Sequence, residues 1–344
     1  LELTPVRADS KSRYKKITIN RQAVDEFFVD VFVRSYDKAP VQIIIDLDAT
    51  DDIIHGNQSG RFFHGYYGNY CYLPLYIFCG EHLLCARLRP SDIDASAGSV
   101  KELERIVAQI RQSWPDVHII IRGDSGFCRE QIMQWCEDNK VDYVLGLAKN
   151  ERLTTELAQE LLQAKSQYEQ TGSAARIFRD FTYQTLKSWS NSRRVVGKAE
   201  YLDKGQNPRF IVTSLLQDQY DARSLYEDLY CGRGDMENRI KEQQLCLFAD
   251  RTSAATMRAN QLRLWFSSVA YTLMTAMRRL GLKNTELANA QCDTIRLKLL
   301  KVGAQIRVTV RKVWVSLSQS WPYREIFTMV YRQLQSLRPV RLRC

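Results

Sequence analysis

Two runs of consecutive isoleucines stand out in the pattern of hydrophobic and polar positions. The first, VQIIIDLDATDD, occupies residues 41–52, and the second, VHIIIRGDSGF, occupies residues 117–127. β-Branched side chains fit a pleated surface and resist helix formation, so each run predicts a buried strand. Side chains alternate along a strand, which puts Asp46 and Asp48 on the same face. Asp124 closes the second strand as Asp48 closes the first.

The remaining pattern of the first half predicts a mixed α/β sheet. In chain order it indicates a helix over 21–38, a loop over 55–70 and an antiparallel hairpin over 71–90 that turns at Gly80 and Glu81. A helix over 99–113 follows, with Ser99 as its N-cap, and after it a helix over 129–139 and a strand over 141–150. Acids at strand ends lie where open α/β sheets place their binding sites. The alternative for Asp124 is an ordinary turn residue, since GDSG is a good turn sequence.

The second half of the chain changes character. After a helix that begins at Glu151, the segments RIFRDFTYQTLKSW, RRVVGKAEYL and PRFIVTSL predict a small antiparallel sheet, which we interpret as an insertion. The apolar stripe over 257–280 predicts a long helix used for core or subunit packing. The stretch QIRVTVRKVWVSLS alternates as a single strand with Arg307 and Arg311 on one face, and the basic tail from residue 332 is predicted to be disordered.

A further helix is predicted in SLYEDLYCGRGDMENRIKEQQLCLF, at residues 224–248. Arg233, Glu237 and Lys241 follow one another at intervals of four residues and so lie on one helical face. This spacing alone is typical of a salt-bridged helix surface. Gly232 and Gly234 each cost about 1 kcal/mol in a helix, and the close approach of a partner backbone would account for them.

The charge of the chain is unevenly distributed. The 344 residues carry a net charge of +10, and from Arg251 to Cys344 there are 17 Lys and Arg against 3 Asp and Glu. The rest of the chain is therefore slightly acidic. A basic C-terminal third predicts a polyanionic partner, and the alternative is a basic surface that is merely solvated.

Several classes of protein are disfavoured by what the sequence lacks. The nine cysteines form no CxxC pair, and the four histidines show no metal-ligand spacing, which indicates a reduced cytosolic protein without a zinc site. No apolar run reaches about 18 residues, so no membrane span is predicted. The chain shows no signal peptide and does not begin with Met, which we interpret as a fragment or a trimmed N-terminus.

The acidic turn after the first strand allows two interpretations of its role. Asp46, Asp48, Asp51 and Asp52 lie within seven residues and repel one another. One reading is a solvated acidic turn, and the other is a site for a divalent metal ion, because hard carboxylate oxygens suit such ions.

These motifs together resemble the bacterial insertion-sequence transposases that carry a DDE triad and a YREK-type signature. Asp48, in Asp48-Ala49-Thr50, is similar to the Asp-x-Thr that ends the first strand in that family. Asp124, after a hydrophobic strand and a basic residue, resembles the second acid.

The helix near the third acid carries the rest of the resemblance. Tyr230, Arg233 and Glu237 reproduce Tyr-x2-Arg-x3-Glu. The signature expects Lys seven residues after the Glu, where Gln244 stands, and Lys241 comes one turn earlier. The resemblance covers roughly residues 25–330.

The resemblance implies the fold and the chemistry. The expected fold class is α/β, a ribonuclease H-like mixed sheet flanked by helices, with a β-rich insertion before the last catalytic acid and a mainly helical, basic C-terminal part. Two Mg²⁺ or Mn²⁺ ions are expected, with Asp48 bridging them and Asp124 and Glu237 each holding one. Asp46 is the rival of Asp48 as first acid.

The resemblance also implies DNA contacts and partners. Tyr230, Arg233 and Lys241 are expected to bind phosphates near the scissile bond. The expected activity is cut-and-paste transposition, meaning DNA strand cleavage and strand transfer at the ends of an insertion sequence. Expected partners are the terminal inverted repeats, target DNA and a second copy in a homodimeric synaptic complex. The expected location is the bacterial cytoplasm, with nucleoid association when DNA is bound.

Five segments follow from this comparison: a remnant of an N-terminal helical region (1–40), the first part of the catalytic domain (41–149), the β-rich insertion (150–221), the completion of the catalytic domain (222–280) and a basic C-terminal region (281–344). Two other functions stay open at this point. One is an inactive or truncated DNA-binding relative, and the other is a ribonuclease H-like nuclease, in which the YREK-type helix is not expected.

Overall fold

The structure is a computed structural model, and it describes residues 2–4 and 16–337. Its α-helices are α1 (Arg21–Arg34), α2 (Ser99–Ser113), α3 (Glu130–Asp138), α4 (Glu151–Glu156), α5 (Ala158–Thr171), α6 (Ala222–Ser224), α7 (Gly234–Lys241), α8 (Met257–Leu280), α9 (Cys292–Ile295) and α10 (Arg324–Ser336). The tail that the sequence predicts to be disordered begins inside α10, and its last residues, 338–344, lie outside the described residues.

The strands are mostly short. They are β1 (Glu2–Thr4), β2 (Lys16–Thr18), β3 (Gln42–Ala49), β4 (Asp52–Ile53), β5 (Phe62–His64), β6 (Asn69–Tyr72), β7 (Leu75–Cys79), β8 (His82–Arg87), β9 (His118–Gly123), β10 (Asp142–Leu147), β11 (Ala175–Tyr183), β12 (Arg193–Leu202), β13 (Gly205–Gln206), β14 (Arg209–Thr213), β15 (Ala304–Val308) and β16 (Val313–Leu317).

One large mixed sheet organises the described part of the chain. Its strands lie in the order β11-β12-β14-β10-β9-β3-β7-β8, with β13 beside β12. The neighbours β3, β9 and β10 run parallel, whereas β7 and β14 pair antiparallel with this centre. Helices flank the sheet, and the predicted ribonuclease H-like α/β class is confirmed.

The two faces of β3 meet different surroundings. Ile43, Ile45 and Leu47 are buried in a core that also contains side chains of α2. On the opposite face, Ile44 packs near Leu225, in a smaller core formed with the helical segment after residue 221. Because side chains alternate along a strand, the acids of β3 share the face of Ile44 and lie under that helical segment.

That helical segment, residues 222–246, is called here the mixed helix. It passes from α6 through a π-helical stretch (Leu225–Tyr230) and a 3-10 turn (Cys231–Arg233) into α7, and it ends in a second π-helical stretch (Glu242–Cys246). Asp221 caps its start, since its Oδ1 accepts the backbone N–H groups of Arg223 and Ser224 at 2.9 and 3.1 Å. Departures from α-helical geometry are frequent at functional sites.

The segment 150–221 is β-rich and antiparallel, as predicted, but its strands do not form a separate small sheet. β14 pairs with β10 through Leu145 opposite Val212, and β12 pairs with β14. The apolar side chains of these strands join the cores of the central sheet. The segment therefore extends that sheet, since its apolar side chains pack into the cores that the sheet forms. The division into five segments stays a prediction.

Three local predictions are wrong. Residues 55–70, predicted as a loop, contain β5 and the first half of its partner strand β6, and both strands belong to a three-stranded sheet with β4. Ser99 is the first residue of α2 rather than its N-cap, a position that Gly98 occupies with a φ of 77°. The stretch 305–318 is a hairpin rather than one strand, so Arg311 lies in its turn, away from Arg307.

A second core lies on the side of α8. Trp265 and Tyr271 of this helix are buried there with Phe28 of α1. The predicted apolar stripe is only partly covered, since Phe266 and Leu273 are 51% and 63% exposed. Among the described residues, the helices are all too short or too polar to cross a membrane.

Candidate active site

The ends of β3 and β9 bring two of the predicted acids together. These strands are parallel neighbours, and Leu47 lies opposite Gly123 in their register. Asp48 and Asp124 follow those two residues directly, so they occupy adjacent positions at one edge of the sheet. Neighbouring strands lie about 4.8 Å apart. The two carboxylates therefore stand side by side where open sheets place their sites.

The surroundings of Asp48 disfavour its negative charge. Burial, and after it the charge of Asp124, raises the pKa of Asp48 to about 7. Arg233 and a 2.8 Å hydrogen bond from the backbone N–H of Ala49 act in the opposite direction, and Glu237 adds a smaller increase. At neutral pH the Asp48 carboxyl is thus poised between its two forms, and a nearby cation would stabilise the ionised one.

Asp124 lies at the start of a tight turn. Its Oδ1 accepts the backbone N–H of Gly126 at 2.8 Å, and its carbonyl accepts the N–H of Phe127 at 3.1 Å. A Cβ atom at Gly126 would come within 3.0 Å of the same carboxylate oxygen. The GDSG sequence is therefore a turn, as its composition indicates, and this turn holds Asp124 in place.

Glu237, the third predicted acid, reaches this region from α7. Its Oε1 forms an ion pair with Nη2 of Arg233 at 3.1 Å. Burial lowers the pKa of Arg233, but its interactions with Tyr230 and with the carboxyl groups of Asp48, Glu237 and Asp124 raise that pKa overall. Arg233 is thus the cation around which all three predicted acids are arranged.

Tyr230 lies over β10 beside Asp124. A Cβ atom at Gly146 would come within 2.5 Å of the Tyr230 hydroxyl and 2.9 Å of the backbone nitrogen of Ser125. Burial raises the pKa of Tyr230, and Arg233 partly offsets that increase. A glycine on β10 therefore makes room for the hydroxyl of Tyr230 at the edge of the acidic site.

Asp46 has a different environment from Asp48. It lies opposite Arg122 in the register of β3 and β9. Nε and Nη2 of Arg122 donate to the two carboxylate oxygens of Asp46 at 2.5 and 2.9 Å, and both side chains are buried. The carboxylate of Asp46 is thus occupied by a bidentate ion pair, whereas Asp48 has no such partner in the described part of the chain.

The same arginine holds the mixed helix on the sheet. Nη1 of Arg122 donates to the carbonyl of Leu229 at 2.6 Å. A Cβ atom at Gly232 would lie 2.6 Å from that nitrogen, whereas one at Gly234 would meet no atom of the described residues within 4 Å. The close approach predicted for Gly232 is therefore that of Arg122, and no partner backbone is required. This contact sets the position from which Arg233 and Glu237 reach the acids.

Gln244 stands at the position where the signature expects Lys, and its side-chain amide binds the turn after β3. Gln244 donates through Nε2 to Oδ1 of Asp52 at 2.9 Å and to the carbonyl of Asp51 at 3.1 Å. Gln244 thereby fixes the acidic turn that follows β3. Lys241 lies on the exposed side of α7.

Three further residues at the site carry no motif that would single them out in the sequence. The hydroxyl of Tyr67 donates to the carbonyl of Ala49 at 3.2 Å, and its pKa is raised by burial and then by Asp51 and Asp48. Lys149 and Arg209 line a cleft of about 270 Å³ that also contains Asp124, Tyr230 and Arg233. Antiparallel pairing of β10 and β14 brings these two cations to the same edge.

Two of the three carboxylates are placed so that they suit a metal ion. Asp48 and Asp124 fit one, because they stand side by side and their mutual repulsion would be relieved by a cation. Glu237 is bound to Arg233, and across residues 19–337 no three Asp, Glu, His or Cys side chains stand close enough to hold one ion. Asp48 and Asp124 are therefore suitable as two ligands of a metal ion, whereas Glu237 is held in its ion pair with Arg233.

The fold and the site define a ribonuclease H-like α/β protein with carboxylates at the ends of adjacent parallel strands. Residues 6–339 match the family described as Transposase DDE domain group 1, and the chain belongs to this family. The predicted relation to the DDE transposases is confirmed, and the YREK subtype stays a prediction. Transposases of this type are DNA-processing enzymes that generally use divalent metal ions. A search of curated proteins found no match to the chain.

Proposed function

We propose that this protein catalyses metal-dependent cleavage and strand transfer of DNA at the ends of an insertion sequence. The observation that carries the proposal is the register of β3 and β9, which sets Asp48 beside Asp124 under the helix that bears Glu237. Charged neighbours of one sign in a partly buried site are costly, so their presence favours a catalytic role over a structural one.

Asp48, Asp124 and Glu237 are the proposed metal ligands. Two divalent ions, Mg²⁺ or Mn²⁺, would supply activation of a water or a DNA 3′-hydroxyl and stabilisation of the leaving oxygen. Asp48 is the proposed shared ligand of the two ions, because burial and the neighbouring charge of Asp124 raise its pKa and a cation would stabilise its ionised form. Asp46 is not proposed as a ligand, since Arg122 already binds both of its oxygens.

Arg233 has two successive partners in this proposal. It pairs with Glu237, and Glu237 has to leave it before acting as a ligand. The guanidinium then becomes available to a DNA phosphate, which its planar fork binds with two hydrogen bonds. Tyr230 lies on the same cleft and would donate to a phosphate oxygen, and Lys241 would bind phosphate further along the helix.

Lys149 and Arg209 extend this surface. Both side chains are exposed, and both lie on the cleft beside Asp124. We assign them to the phosphates that flank the scissile bond. The proposed partners of the whole chain are the terminal inverted repeats, target DNA and a second copy in a homodimeric synaptic complex, in the cytoplasm and on the nucleoid. The five-segment division of the sequence is likewise a proposal.

A second candidate function is DNA binding without catalysis. Two observations favour it. Gln244 stands where the signature has Lys, and its side chain donates a hydrogen bond to Asp52. Glu237 forms an ion pair with Arg233 rather than lying beside the other two acids. The two functions share the DNA-binding surface and differ only in the use of the carboxylates.

The deciding experiment is a cleavage assay on linear DNA that carries the ends of the element, with Mg²⁺, Mn²⁺ or EDTA. We expect metal-dependent nicks at the ends and, with target DNA, joined products. Binding of the ends without cleavage under any metal condition would select the second candidate.

A further inference from the structure

We propose that the hairpin of β15 and β16, residues 304–317, is a DNA-binding arm that lies in a groove of the duplex. The inference rests on the proposed function in one respect only, namely that DNA is the partner. It concerns a part of the chain more than fifty residues beyond the mixed helix in sequence, and none of the candidate catalytic residues belongs to it.

The hairpin has two different faces. In its register Ile306 is opposite Val315 and Val308 is opposite Val313, so these four side chains share one face. Their exposed fractions are 68%, 58%, 72% and 63%, respectively. A two-stranded hairpin is marginally stable alone in water, and an exposed apolar face of this kind marks an interaction surface.

The other face and the turn are basic. Arg307 lies opposite Trp314, with its guanidinium carbon 5.9 Å from the centre of the indole ring. Nζ of Lys312 lies 5.7 Å from the same ring, and Arg311 is in the turn. Arg307 of β15 and Lys312 of the turn thus lie beside the half-exposed ring of Trp314, and Arg311 adds a further positive charge to the turn.

The charge around the hairpin identifies its partner. Between Asp293 and Glu325 the sequence contains no acid, whereas it contains the basic residues Arg296, Lys298, Lys301, Arg307, Arg311, Lys312 and Arg324. A second copy would bring the same positive charge against this surface. A polyanion with apolar surface of its own matches both faces, and duplex DNA offers phosphates on its rims and sugars and thymine methyl groups within its grooves.

The dimensions of the hairpin fit this partner. Strands of five residues extend over roughly 17 Å, and two paired strands lie about 4.8 Å apart. The major groove is about 12 Å wide and admits a two-stranded β-ribbon.

The base of the hairpin is anchored to the body. The N–H of Ser318 donates to the carbonyl of Gly303 at 3.1 Å, and Nε1 of Trp321 donates to the carbonyl of Lys298 at 3.1 Å. Ile295 and Leu299, just before the hairpin, are buried in the core with α8. The arm therefore projects from a fixed base.

The test measures binding of the full chain to a labelled duplex in EDTA, over a series of salt concentrations, so that no cleavage is needed. The variant Arg307→Ala/Arg311→Ala/Lys312→Ala should raise Kd about tenfold or more and reduce the slope of log K against log salt by up to about 3. Val308→Ser/Val313→Ser should also weaken binding, but with an unchanged salt slope, because it removes no charge.

The matched control is Lys101→Ala/Lys187→Ala/Lys204→Ala, which removes three exposed cations on other parts of the surface. If it weakens binding as much as the hairpin triple variant, the charge acts non-specifically and the proposal is overturned. Unchanged affinity and slope in both hairpin variants would overturn it too.

Sedimentation without DNA tests whether the apolar face of the hairpin binds a second copy of the chain instead of DNA. If Val308→Ser/Val313→Ser converts a dimer into a monomer while each protomer keeps its DNA affinity, the apolar face is a subunit interface and the proposal fails. Loss of metal-dependent cleavage in a chain whose hairpin still binds DNA as described would count against the proposed function alone.

Discussion

Arg122 binds both carboxylate oxygens of Asp46 from the directly opposite position on the neighbouring strand. The pair lies two residues before the candidate catalytic acids on the same two strands, since Asp48 and Asp124 follow at the next positions on that face. Within the residues that the structure describes, one strand pair thus carries an ion-paired acid inside the sheet and, at its edge, two acids without such a partner. The difference in role between Asp46 and Asp48 follows from this contact.

The first prediction concerns this ion pair. Asp46→Asn leaves the buried guanidinium without its full counter-charge, so the free energy of unfolding should fall by about 3 kcal/mol, as measured by urea denaturation. The folded variant should still cleave DNA, because Asp46 is not a proposed ligand.

The double variant Asp46→Leu/Arg122→Met removes both charges and should lose less stability than the two single changes added together. Abolished cleavage in Asp46→Asn, with activity retained in Asp48→Asn, would instead make Asp46 the first ligand.

The second prediction compares two glycines in the mixed helix. Gly232→Ala places a methyl group against Arg122, which its bonds to Asp46 and Leu229 hold in place, so stability should fall by about 1–3 kcal/mol. The added methyl group of Gly234→Ala meets no atom within 4 Å in the described part of the chain, so the variant should raise stability by up to about 1 kcal/mol through helix propensity. Thermal unfolding of both variants measures the two changes in stability. Equal changes would show that the contact between position 232 and Arg122 does not affect stability.

The third prediction concerns pH. The ordinary pKa of an aspartate is 3.8, and that of Asp48 in the fold is about 7. Between these values the folded protein keeps a proton that the unfolded chain has lost, so this group makes the free energy of unfolding decrease as pH rises through that window. Asp48→Asn should therefore stabilise the protein by about 1–3 kcal/mol at pH 8 and hardly at all at pH 4.

Urea denaturation in EDTA at the two pH values is the appropriate measurement. Mg²⁺ should stabilise the wild type more than the variant, because the ion relieves the same repulsion. A stabilisation of equal size at both pH values would mean that it does not arise from the charge of Asp48.

The fourth prediction separates catalysis from binding. Asp124→Asn should abolish cleavage and weaken Mg²⁺ binding while leaving DNA affinity nearly unchanged, because DNA binding depends on Arg and Lys. Asp116→Asn is the matched control, since this exposed acid lies just before the opposite end of β9. It should leave both cleavage and binding intact. Full cleavage by Asp124→Asn would reject the triad.

The fifth prediction concerns Arg233. Arg233→Ala should lower cleavage and weaken the hold on the cleaved end, while Mg²⁺ binding persists because Glu237 is released from its ion pair. Arg233→Lys should not restore cleavage, since an ammonium group lacks the planar fork. The two readouts are a cleavage time course and calorimetric titration with Mg²⁺; loss of Mg²⁺ binding in Arg233→Ala would show that the arginine organises the carboxylates.

Local periodicity predicted the elements that carry the site. The isoleucine runs predicted β3 and β9, and Asp48 and Asp124, which follow the opposed residues Leu47 and Gly123, lie at the sheet edge. The spacing of Arg233 and Glu237 predicted their helical face, where they form an ion pair. These features depend on backbone geometry within a few residues, so the sequence was enough to predict them.

The partners of each element could not be read from such patterns. Asp46 and Asp48 look equivalent in the sequence, and only the register of β3 with β9 gives one of them Arg122. The strands of residues 150–221 alternate as an isolated sheet would, yet they extend the central one, and a single predicted strand is the hairpin of β15 and β16.

The sequence by itself therefore determined the kinds of elements and the family to which the chain belongs, since periodicity and motif spacing are local properties of the chain. Tertiary structure decided which acid is neutralised, which glycine makes room for Arg122, and which cations line the cleft. Those outcomes depend on contacts between residues that are distant in the sequence, such as Asp46 with Arg122 and Arg122 with Leu229. Such contacts form only when the whole sheet and the mixed helix pack together.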